Sequence, residues 1–419
     1  MARIVITSWG SYGDLYPYIG LGRALAARDQ HVTLAVPAYY APVVADAELH
    51  HAAVGPEIDP DDRAIIGRVM DPVRGPEVLI REWLMPRLEQ SYQQLVEAAR
   101  DADLLVSHPV TFAAPAVAAV LGLRWVSTVL APMSFFSIYD PPVMAPAPHL
   151  AALRRFGSLY GRLARWLADR ATRSWVEQAY RLRREKNVPG NANPLIDGQF
   201  SPHLNLALFS PVLGAPQSDW PQPTTQTGFV FYNGAGVMPP ELQAFLEAGA
   251  PPVVFTLGSS AVGAAGRFYA ESAAAARLLG VRAVLMTGGL ADNERVETSS
   301  DLLLVPVAPH QLLFPCASVT VHHGGVGTTG QGLRSGRPSL VVPHAHDQAD
   351  NADRVVRLGA GRSIRAADYQ ASIVARELGH LLNDPAYAAR ASEIGRRVVS
   401  ENGAEAAADA IEGLLGWTQ

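Results

Sequence analysis

The sequence predicts an α/β protein built from two doubly wound domains that face each other across a cleft. Strand-like and helix-like segments alternate along most of the chain, which is typical of parallel sheets covered by helices on both faces. The 419 residues exceed what one ordinary core holds and suit two domains of roughly 200 residues each. The composition, 48% hydrophobic and 17% charged, is that of a globular protein. We therefore expect two Rossmann-like domains.

The N-terminal half repeats a strand, helix, strand pattern. The strand "RIVITS" is followed by a helix predicted from Pro17 to Arg28 and by the strand "HVTLAV". Further along come the strand "DADLLVS", the helix "FAAPAVAAVLG" and the strand "RWVSTVL". These segments predict an N-terminal domain over residues 1–212.

A proline-rich stretch separates the two halves. Proline stiffens a connector and removes donors from a strand ladder, so residues 213–227, with Pro216, Pro221 and Pro223, are predicted to form the linker. The alternation resumes over 228–400 with strands such as "PPVVFTLGSS", "RAVLMTGG", "SVTVHHGG" and "PSLVVPH". A last helix over 401–419 is expected to pack back on the N-terminal domain.

The composition excludes several functional classes. A net charge of −5 and a pI near 6.2 argue against a nucleic-acid partner. Cys316 is the only cysteine, so we expect no disulfide framework, and the histidine spacings match no metal signature. No apolar run is long enough for stable membrane insertion, and "MARIVITSWG" leads straight into a strand, which favours a cytoplasmic protein. Monomer and homodimer are both open.

The segment 149–187 differs from the rest because arginines alternate with Leu, Trp, Phe and Tyr at helical spacing. It predicts one or two long amphipathic helices. Three interpretations are open: a helical excursion packed on the N-terminal domain, a wall of a lipophilic pocket, or a weak peripheral contact with a membrane surface.

The stretch "HHGGVGTT" predicts an anion site. A buried strand precedes it and a short helix follows it, with Gly336 as the expected C-terminal cap. A glycine-rich turn at a helix start gathers backbone N–H groups and the positive end of the helix dipole. We expect the His322 ring to project into this turn and to donate a hydrogen bond to a phosphate. Strand-end histidines bonded to carbonyls are the alternative.

A polar cluster follows the next strand, in "PHAHDQADNADRV". Asp347 and Gln348 fall at a loop and helix start beside the glycine-rich turn. A carboxylate beside an amide suits vicinal sugar hydroxyls, since together they accept and donate hydrogen bonds. The alternative is that Asp347 caps the helix.

The loop after the first strand, "GSYGDLYP", places Asp14 at the carboxyl edge of the N-terminal sheet, where a general base facing the cleft would stand. Asp14 is equally suited to capping a helix that Pro17 helps to start.

Together, "GSYGDLYPYIGLGRAL" and "VHHGGVGTTGQGLRSGRPSLVVPHAHDQADNA" resemble the large family of inverting glycosyltransferases that use nucleotide-diphosphate sugars and adopt the GT-B fold. The resemblance implies an acceptor-binding N-terminal domain and a C-terminal domain that binds a dTDP- or UDP-linked sugar as co-substrate, with no other cofactor and no metal. The implied donor-binding residues are Ser259, Ser260, Val307, Ala308, His322, Gly325, Val326, Gly327, Thr328, Asp347 and Gln348.

The resemblance also bears on the base and on the nucleobase. Many relatives have a histidine in the first loop, whereas the branch with a G-x-x-G-D loop has an aspartate, which Asp14 matches. His108, after another N-terminal strand, is the competing candidate. Val307 stands where plant members have a tryptophan, and Gly330 where they have a ribose-binding glutamate.

Other stretches are similar to the rhamnolipid-forming rhamnosyltransferases, whereas the phosphate turn is closer to sterol and macrolide glucosyltransferases. The resemblance thus implies rhamnose or glucose transfer to a lipophilic acceptor such as a lipid, polyketide, sterol or phenol. The expected acceptor-lining residues are Tyr12, Phe112, Met133, Phe135, Phe136, Ile138 and Met144. A non-catalytic helper protein and a nucleotide-sugar 2-epimerase are the alternative functions.

Overall fold

A computed structural model describes residues 1–57, 62–234 and 236–416 and contains two parallel sheets. The seven strands of the first sheet are β1 (Arg3–Thr7), β2 (His31–Val36), β3 (His50–Ala53), β4 (Leu104–Ser107), β5 (Arg124–Val129), β6 (Leu204–Ala207) and β7 (Thr224–Gln226). They are arranged in the order β3-β2-β1-β4-β5-β6-β7. The strand order reverses direction between β1 and β4, as in a doubly wound fold.

Helices cover both faces of this sheet. The α-helices are α1 (Tyr12–Ala26), α2 (Ala41–Asp46), α3 (Arg63–Val69), α4 (Gly75–Glu77), α5 (Leu88–Ala98), α6 (Ala114–Leu121), α7 (Ser158–Thr172) and α8 (Glu177–Glu185). A π-helix spans Val78–Leu84, and 3₁₀ turns span Ala38–Tyr40, Met85–Arg87, Pro132–Phe135, Pro148–Phe156 and Arg173–Val176.

The second sheet repeats the same winding. Its strands are β8 (Val253–Thr256), β9 (Ala283–Met286), β10 (Leu302–Val305), β11 (Val319–His322), β12 (Ser339–Val341) and β13 (Gly361–Ser363), arranged in the order β10-β9-β8-β11-β12-β13. The order reverses between β8 and β11. Central strands such as β4 and β8 are buried at every position, because helices cover both faces.

The second half contains nine α-helices among the described residues: α9 (Pro240–Glu247), α10 (Gly258–Ala261), α11 (Phe268–Leu279), α12 (His310–Leu313), α13 (Val326–Ser335), α14 (Gln348–Arg357), α15 (Ala371–Asn383), α16 (Pro385–Val399) and α17 (Gly403–Leu415). Further 3₁₀ turns span Val262–Ala264, Phe314–Cys316 and Ala366–Asp368. As expected, α13 ends at Gly336, whose φ of 68° is left-handed.

The segment 213–227 was predicted to be a linker, but part of it belongs to the first sheet. Its residues Thr224–Gln226 form β7 and pair in parallel with β6 at the edge of the first sheet. Trp220 stacks on Phe135 in the core, with ring centroids 4.1 Å apart. The prolines in this stretch precede an edge strand, where a missing ladder donor is tolerated.

The C-terminal helix α17 lies against α1 of the N-terminal domain. Ala407, Ala408 and Ile411 are buried in the same core as Leu21 and Leu25 of α1. Arg28 donates to Asp409 at 2.6 Å, and it also pairs with two glutamates of α17. Residues 417–419 of the predicted final helix lie outside the described residues.

Of the described helices, none is long and apolar enough to cross a bilayer.

Candidate functional site

The reversal points of the two sheets position the site. In doubly wound folds, the loops that follow the two strands at the reversal diverge and leave a crevice. In the first sheet these loops follow β1 and β4 and carry Asp14 and His108. In the second sheet they follow β8 and β11 and carry Ser260 and His323.

Asp14 lies at the start of α1, which begins at Tyr12 rather than at Pro17. Ser11 is the N-cap, and its backbone N–H and hydroxyl donate to Oδ2 of Asp14 at 2.8 and 3.0 Å. Ser11 and Asp14 therefore form a capping box, in which Asp14 occupies the third position of the helix, N3. Pro17 is the sixth residue of α1, in its second turn, so the missing N–H removes the intrahelical hydrogen bond that the Gly13 carbonyl would accept.

The capping role of Asp14 uses only one of its oxygens. Oδ1 has no hydrogen-bond partner within the described part of the chain, and it lies 3.8 Å from Nε2 of His108. The side chain is 34% exposed. Asp14 therefore caps α1 with Oδ2, while its Oδ1 stays accessible.

His108 is buried, with 9% of its side chain exposed. Its Nδ1 accepts from the backbone N–H of Val110 at 3.3 Å, which puts the proton of the neutral ring on Nε2, toward Asp14. Burial lowers the His108 pKa to about 4, and the carboxylate of Asp14 opposes that shift. His108 is therefore a neutral donor facing Asp14.

The glycine-rich turn opens into the N-terminus of α13. Gly325 is the N-cap and has no side chain to cap with, so the first N–H groups of α13 lack intrahelical acceptors. Gly324 has a φ of 91°, and a Cβ there would lie 2.8 Å from Val341. Only glycine fits this turn, which leaves the backbone N–H groups accessible to an anion.

The two histidines of the turn do not lie where the sequence predicted. His322 is fully buried; its Nδ1 accepts from Gly324 N–H at 3.1 Å, and a Cβ at Gly332, well inside α13, would lie 3.4 Å from its Nε2. The expectation that its ring projects into the turn was wrong, because the ring is held under α13.

His323 is the imidazole that approaches the neighbouring loop. Its Nε2 lies 3.3 Å from the Ser260 hydroxyl, and Cβ atoms at Gly258 and Gly325 would come within 2.6 and 2.5 Å of its ring. Its Nδ1 is buried without a partner among the described residues. Burial lowers the pKa of His322 to about 3 and that of His323 well below its ordinary value. Both rings are neutral.

The first loop and the glycine-rich turn face each other directly across the domains. A Cβ at Gly327 would lie 3.4 Å from the carbonyl oxygen of Gly13. The N-terminus of α13 is therefore adjacent to the first turn of α1, which contains Asp14.

Asp347 and Gln348 lie at the start of α14. Asp347 occupies the N-cap position but makes no side-chain cap; its Oδ2 accepts from Asn351 at 2.7 Å. Burial, and secondarily the negative charge of Asp14, raise the Asp347 pKa to about 7. Gln348 is buried, and its Oε1 accepts from the N–H groups of His344 and Ala345, so only its amide nitrogen remains to donate.

His346 is a residue of this region that the sequence did not single out. Its φ of 55° is left-handed, an uncommon conformation outside glycine. Burial lowers its pKa, and the charge of Asp14 opposes that shift. His346 is thus within electrostatic range of Asp14.

Comparison with known proteins identifies the family of this chain. The chain is 33% identical over 98% of its length to O-mycaminosyltylonolide 6-deoxyallosyltransferase of Streptomyces fradiae, covering 97% of that protein. The chain belongs to the family 1 glycosyltransferases of the GT-B fold. Residues 290–414 match the family model "Erythromycin biosynthesis protein CIII-like, C-terminal domain".

Solved structures agree with the fold. The calicheamicin glycosyltransferase CalG4 has a TM-score of 0.72 at 19% identity, covering 99% of this chain and 98% of that one. The spinosyn rhamnosyltransferase SpnG complexed with thymidine diphosphate has a TM-score of 0.68 at 20% identity, covering 98% and 100%. The solved structures show the fold, and the relative from Streptomyces fradiae shows that this protein is a glycosyltransferase.

Other expected donor residues of the glycosyltransferase follow strands of the second sheet or begin α13. Ser259 and Ser260 form part of α10, directly after β8. Val307 is 68% exposed in the loop after β10, whereas Ala308 is buried. Val326 packs against the N-terminal core.

The expected acceptor residues of the glycosyltransferase divide into two groups. Met144 is exposed, whereas Tyr12, Met133 and Phe136 are partly buried. Phe135 is 2% exposed and stacks between Phe200 and Trp220, so its assignment to a pocket wall was wrong; it belongs to the core.

Phe112 is buried, and it lines a small cavity at the carboxyl end of β1 and β4. Trp9, Leu84 and Leu88 line the same cavity, and the sequence analysis did not select them. Leu84 and Leu88 come from a helical excursion, so only the fold brings them beside β1.

An ion-pair cluster ties the acceptor side to α14. The buried Arg354 pairs with Asp350 at 2.7 Å and with Asp140 of the N-terminal domain at 2.5 Å. Asp350 also accepts from the backbone N–H of Val143 at 2.9 Å, and Arg154 pairs with Asp353. We call these side chains the interdomain clamp. It joins the loop before Met144 to the helix that starts at Gln348.

No group of three or more metal-binding side chains occurs in residues 1–57, 62–234 and 236–416.

Proposed function

We propose that this glycosyltransferase is an inverting hexosyltransferase that uses a dTDP- or UDP-sugar, with Asp14 as the general base toward a hydroxyl of a lipophilic acceptor. The observation that carries the proposal is Oδ1 of Asp14, which has no hydrogen-bond partner among the described residues and lies in the first turn of α1, the turn apposed to the N-terminus of α13. In a single displacement, the acceptor oxygen attacks the anomeric carbon while its proton passes to Oδ1 and the nucleoside diphosphate leaves.

Asp14 suits this role better than His108. A carboxylate is a weak base for an alcohol, but the acceptor oxygen becomes acidic as its bond to the anomeric carbon forms. His108 is buried, has a pKa lowered to about 4, and has its Nδ1 lone pair committed to Val110. It lacks an accessible basic nitrogen, whereas its Nε2–H can orient and polarise Asp14.

The leaving diphosphate is stabilised without a metal ion in this proposal. The first N–H groups of α13 and the positive end of its dipole face the place where charge develops. His323 and Ser260 lie beside that place as neutral hydrogen-bonding groups. His322 accepts the hydrogen bond from the Gly324 N–H and thereby stabilises the conformation of the turn.

The sugar hydroxyls are assigned to Asp347 and Gln348. Asp347 retains an oxygen beyond the one bound by Asn351, and Gln348 retains its amide donor. A 6-deoxyhexose such as rhamnose on dTDP is favoured over glucose on UDP, because the relative from Streptomyces fradiae is a 6-deoxyallosyltransferase and the SpnG structure holds thymidine diphosphate.

The donor assignment is tested with the full-length protein and a thermal-shift panel of UDP, dTDP, GDP and their glucose and rhamnose conjugates. A ligand that binds the folded state raises the melting temperature by mass action. Selective stabilisation by a dTDP or UDP sugar supports a working donor site; transfer assays with phenols, sterols and macrolactones then identify the acceptor. No shift with any of them supports a non-catalytic helper instead.

A further inference from the structure

The helix α7 presents its large apolar side chains to the outside. Their exposed fractions are 74% for Leu159, 53% for Leu163, 58% for Trp166 and 51% for Leu167. The spacing of these residues, at intervals of three and four, places them on one face of the helix. Phe156, in the 3₁₀ turn that leads into α7, is 55% exposed. We call these five residues the α7 face.

The opposite side of α7 carries the contacts with the rest of the protein. Gly161 is buried, and a Cβ there would lie 2.0 Å from the carbonyl oxygen of Ile138. Arg165, also on this side, pairs with Asp197. Gly161 and the paired Arg165 thus face inward and the large apolar residues face outward, the reverse of a helix that serves only the core.

Cationic side chains flank the α7 face. The segment 149–187 has ten Arg and Lys residues against three carboxylates, in a chain whose net charge is −5. Arg162 and Arg170 are exposed, and neither forms a salt bridge with the residues that the structure describes. The surface combines apolar area with unpaired positive charge, which is typical of helices that lie in the headgroup region of anionic bilayers.

We propose that the α7 face docks this protein on the surface of an anionic lipid bilayer. The charge favours this occupant over a second copy of the chain, because a symmetric contact through α7 would bring Arg162 and Arg170 of both copies together. The face is a single convex helix with a tryptophan among leucines, which suits shallow insertion at a lipid interface.

Docking through α7 would hold the acceptor side of the cleft near the bilayer. Gly161 lies against Ile138, and Arg154, just before α7, donates to the Pro141 carbonyl at 2.7 Å. Both contacts are with the loop that continues to Met144. The docking surface itself does not depend on the proposed reaction, so its test requires no turnover.

The test is cosedimentation of the full-length protein with vesicles of phosphatidylcholine alone and with vesicles that also contain phosphatidylglycerol. We expect binding to the anionic vesicles only, weakened as salt is raised. The double variant Leu163→Glu, Trp166→Glu should bind at least about tenfold more weakly, because it removes apolar contact and adds negative charge. Arg162→Gln should lose about fivefold.

Leu278→Glu is the matched control, because Leu278 on α11 is 66% exposed and lies outside the α7 face. It should bind like the unmodified chain. Melting temperatures verify that each variant is folded, and Arg162→Gln keeps the test available if the double variant does not fold. Three results overturn the proposal: no sedimentation with anionic vesicles, binding unaffected by these variants, or a dimer in analytical ultracentrifugation that Leu163→Glu, Trp166→Glu dissociates.

Discussion

Nε2 of His108 faces Oδ1 of Asp14 at 3.8 Å, while the other carboxylate oxygen of Asp14 holds both hydrogen bonds from Ser11. This arrangement divides the carboxylate into a structural oxygen that caps α1 and an oxygen that is accessible from the cleft. The neutral imidazole of His108 lies beside that second oxygen and restricts where it can point.

His108 is predicted to position Asp14 rather than to remove a proton itself. His108→Asn should lower kcat by about tenfold or less, because a general base is worth about 10²–10⁴ and an orienting group less. The measurement is steady-state transfer with the donor identified by thermal shift. A loss of about 10³ or more, with donor affinity unchanged, would instead make His108 the base.

The ionisation of Asp347 predicts a pH dependence of donor binding. Its raised pKa of about 7 means that it is protonated below neutral pH and becomes the stronger hydrogen-bond acceptor above it. The KM for the donor sugar should therefore fall as the pH rises through about 7. Asp347→Asn should bind the donor weakly and without this dependence. A pH-independent KM in the unmodified enzyme would contradict the assignment.

The same pKa shift has a consequence for stability. Because the Asp347 pKa is raised in the folded state, the protonated side chain favours folding, and this contribution is lost as the pH rises through about 7. The unfolding free energy from urea titration should decline as the pH rises from about 4, near the ordinary pKa of an aspartate, to about 7, and more in the unmodified chain than in Asp347→Asn. Equal pH profiles would show that the pKa of Asp347 is not raised by folding.

Gly324→Ala should damage both the fold and the donor site. Gly324 has a left-handed φ, and a Cβ there meets Val341 and the carbonyl of Gln348. Gly122→Ala is the matched control, because Gly122 also has a left-handed φ of 66° but has open space around it.

We expect Gly122→Ala to cost about 1 kcal/mol of unfolding free energy, with unchanged nucleotide affinity. Gly324→Ala should cost more than that and lose nucleotide binding. Urea unfolding and calorimetric titration with dTDP measure the two effects. Equal costs, with dTDP affinity retained by both variants, would refute the role of the turn.

The interdomain clamp predicts unequal effects of two neighbouring carboxylates. Asp350→Ala leaves Arg354 partly uncompensated in a buried position and should cost about 3–5 kcal/mol. Asp353→Ala removes partly exposed pairs with Arg154 and Arg357 and should cost about 1 kcal/mol or less. Urea unfolding of both variants compares them, and similar costs would show that the buried cluster is not critical.

Periodicity and motifs predicted the fold and the regions of the site, because strands buried on both faces are apolar runs and glycine-rich turns follow them. The local geometry was less predictable. Pro17 suggested a helix start, but Ser11 and Asp14 form a capping box that begins α1 earlier. The prolines of 213–227 suggested a linker, but an edge strand also tolerates proline.

Side-chain direction and long-range pairing were not readable from the sequence. His322 and His323 are adjacent and chemically identical, and only the fold shows which ring lies under α13 and which approaches Ser260. Asp140 and Arg354 are far apart along the chain, so no local pattern could reveal their pairing. Phe135 looked like a pocket residue because its partner Trp220 belongs to a distant segment.

The role of Asp14 as the general base is tested most directly by measuring transfer with Asp14→Asn. Asparagine retains an oxygen that can accept from Ser11 and cap α1, but it cannot take a proton. We predict that the transfer rate falls by a factor of about 10²–10⁴ while the dissociation constant for the nucleotide stays within about threefold. A variant that keeps most of its transfer rate, with the fold and nucleotide binding intact, would contradict the assignment of Asp14 as the base.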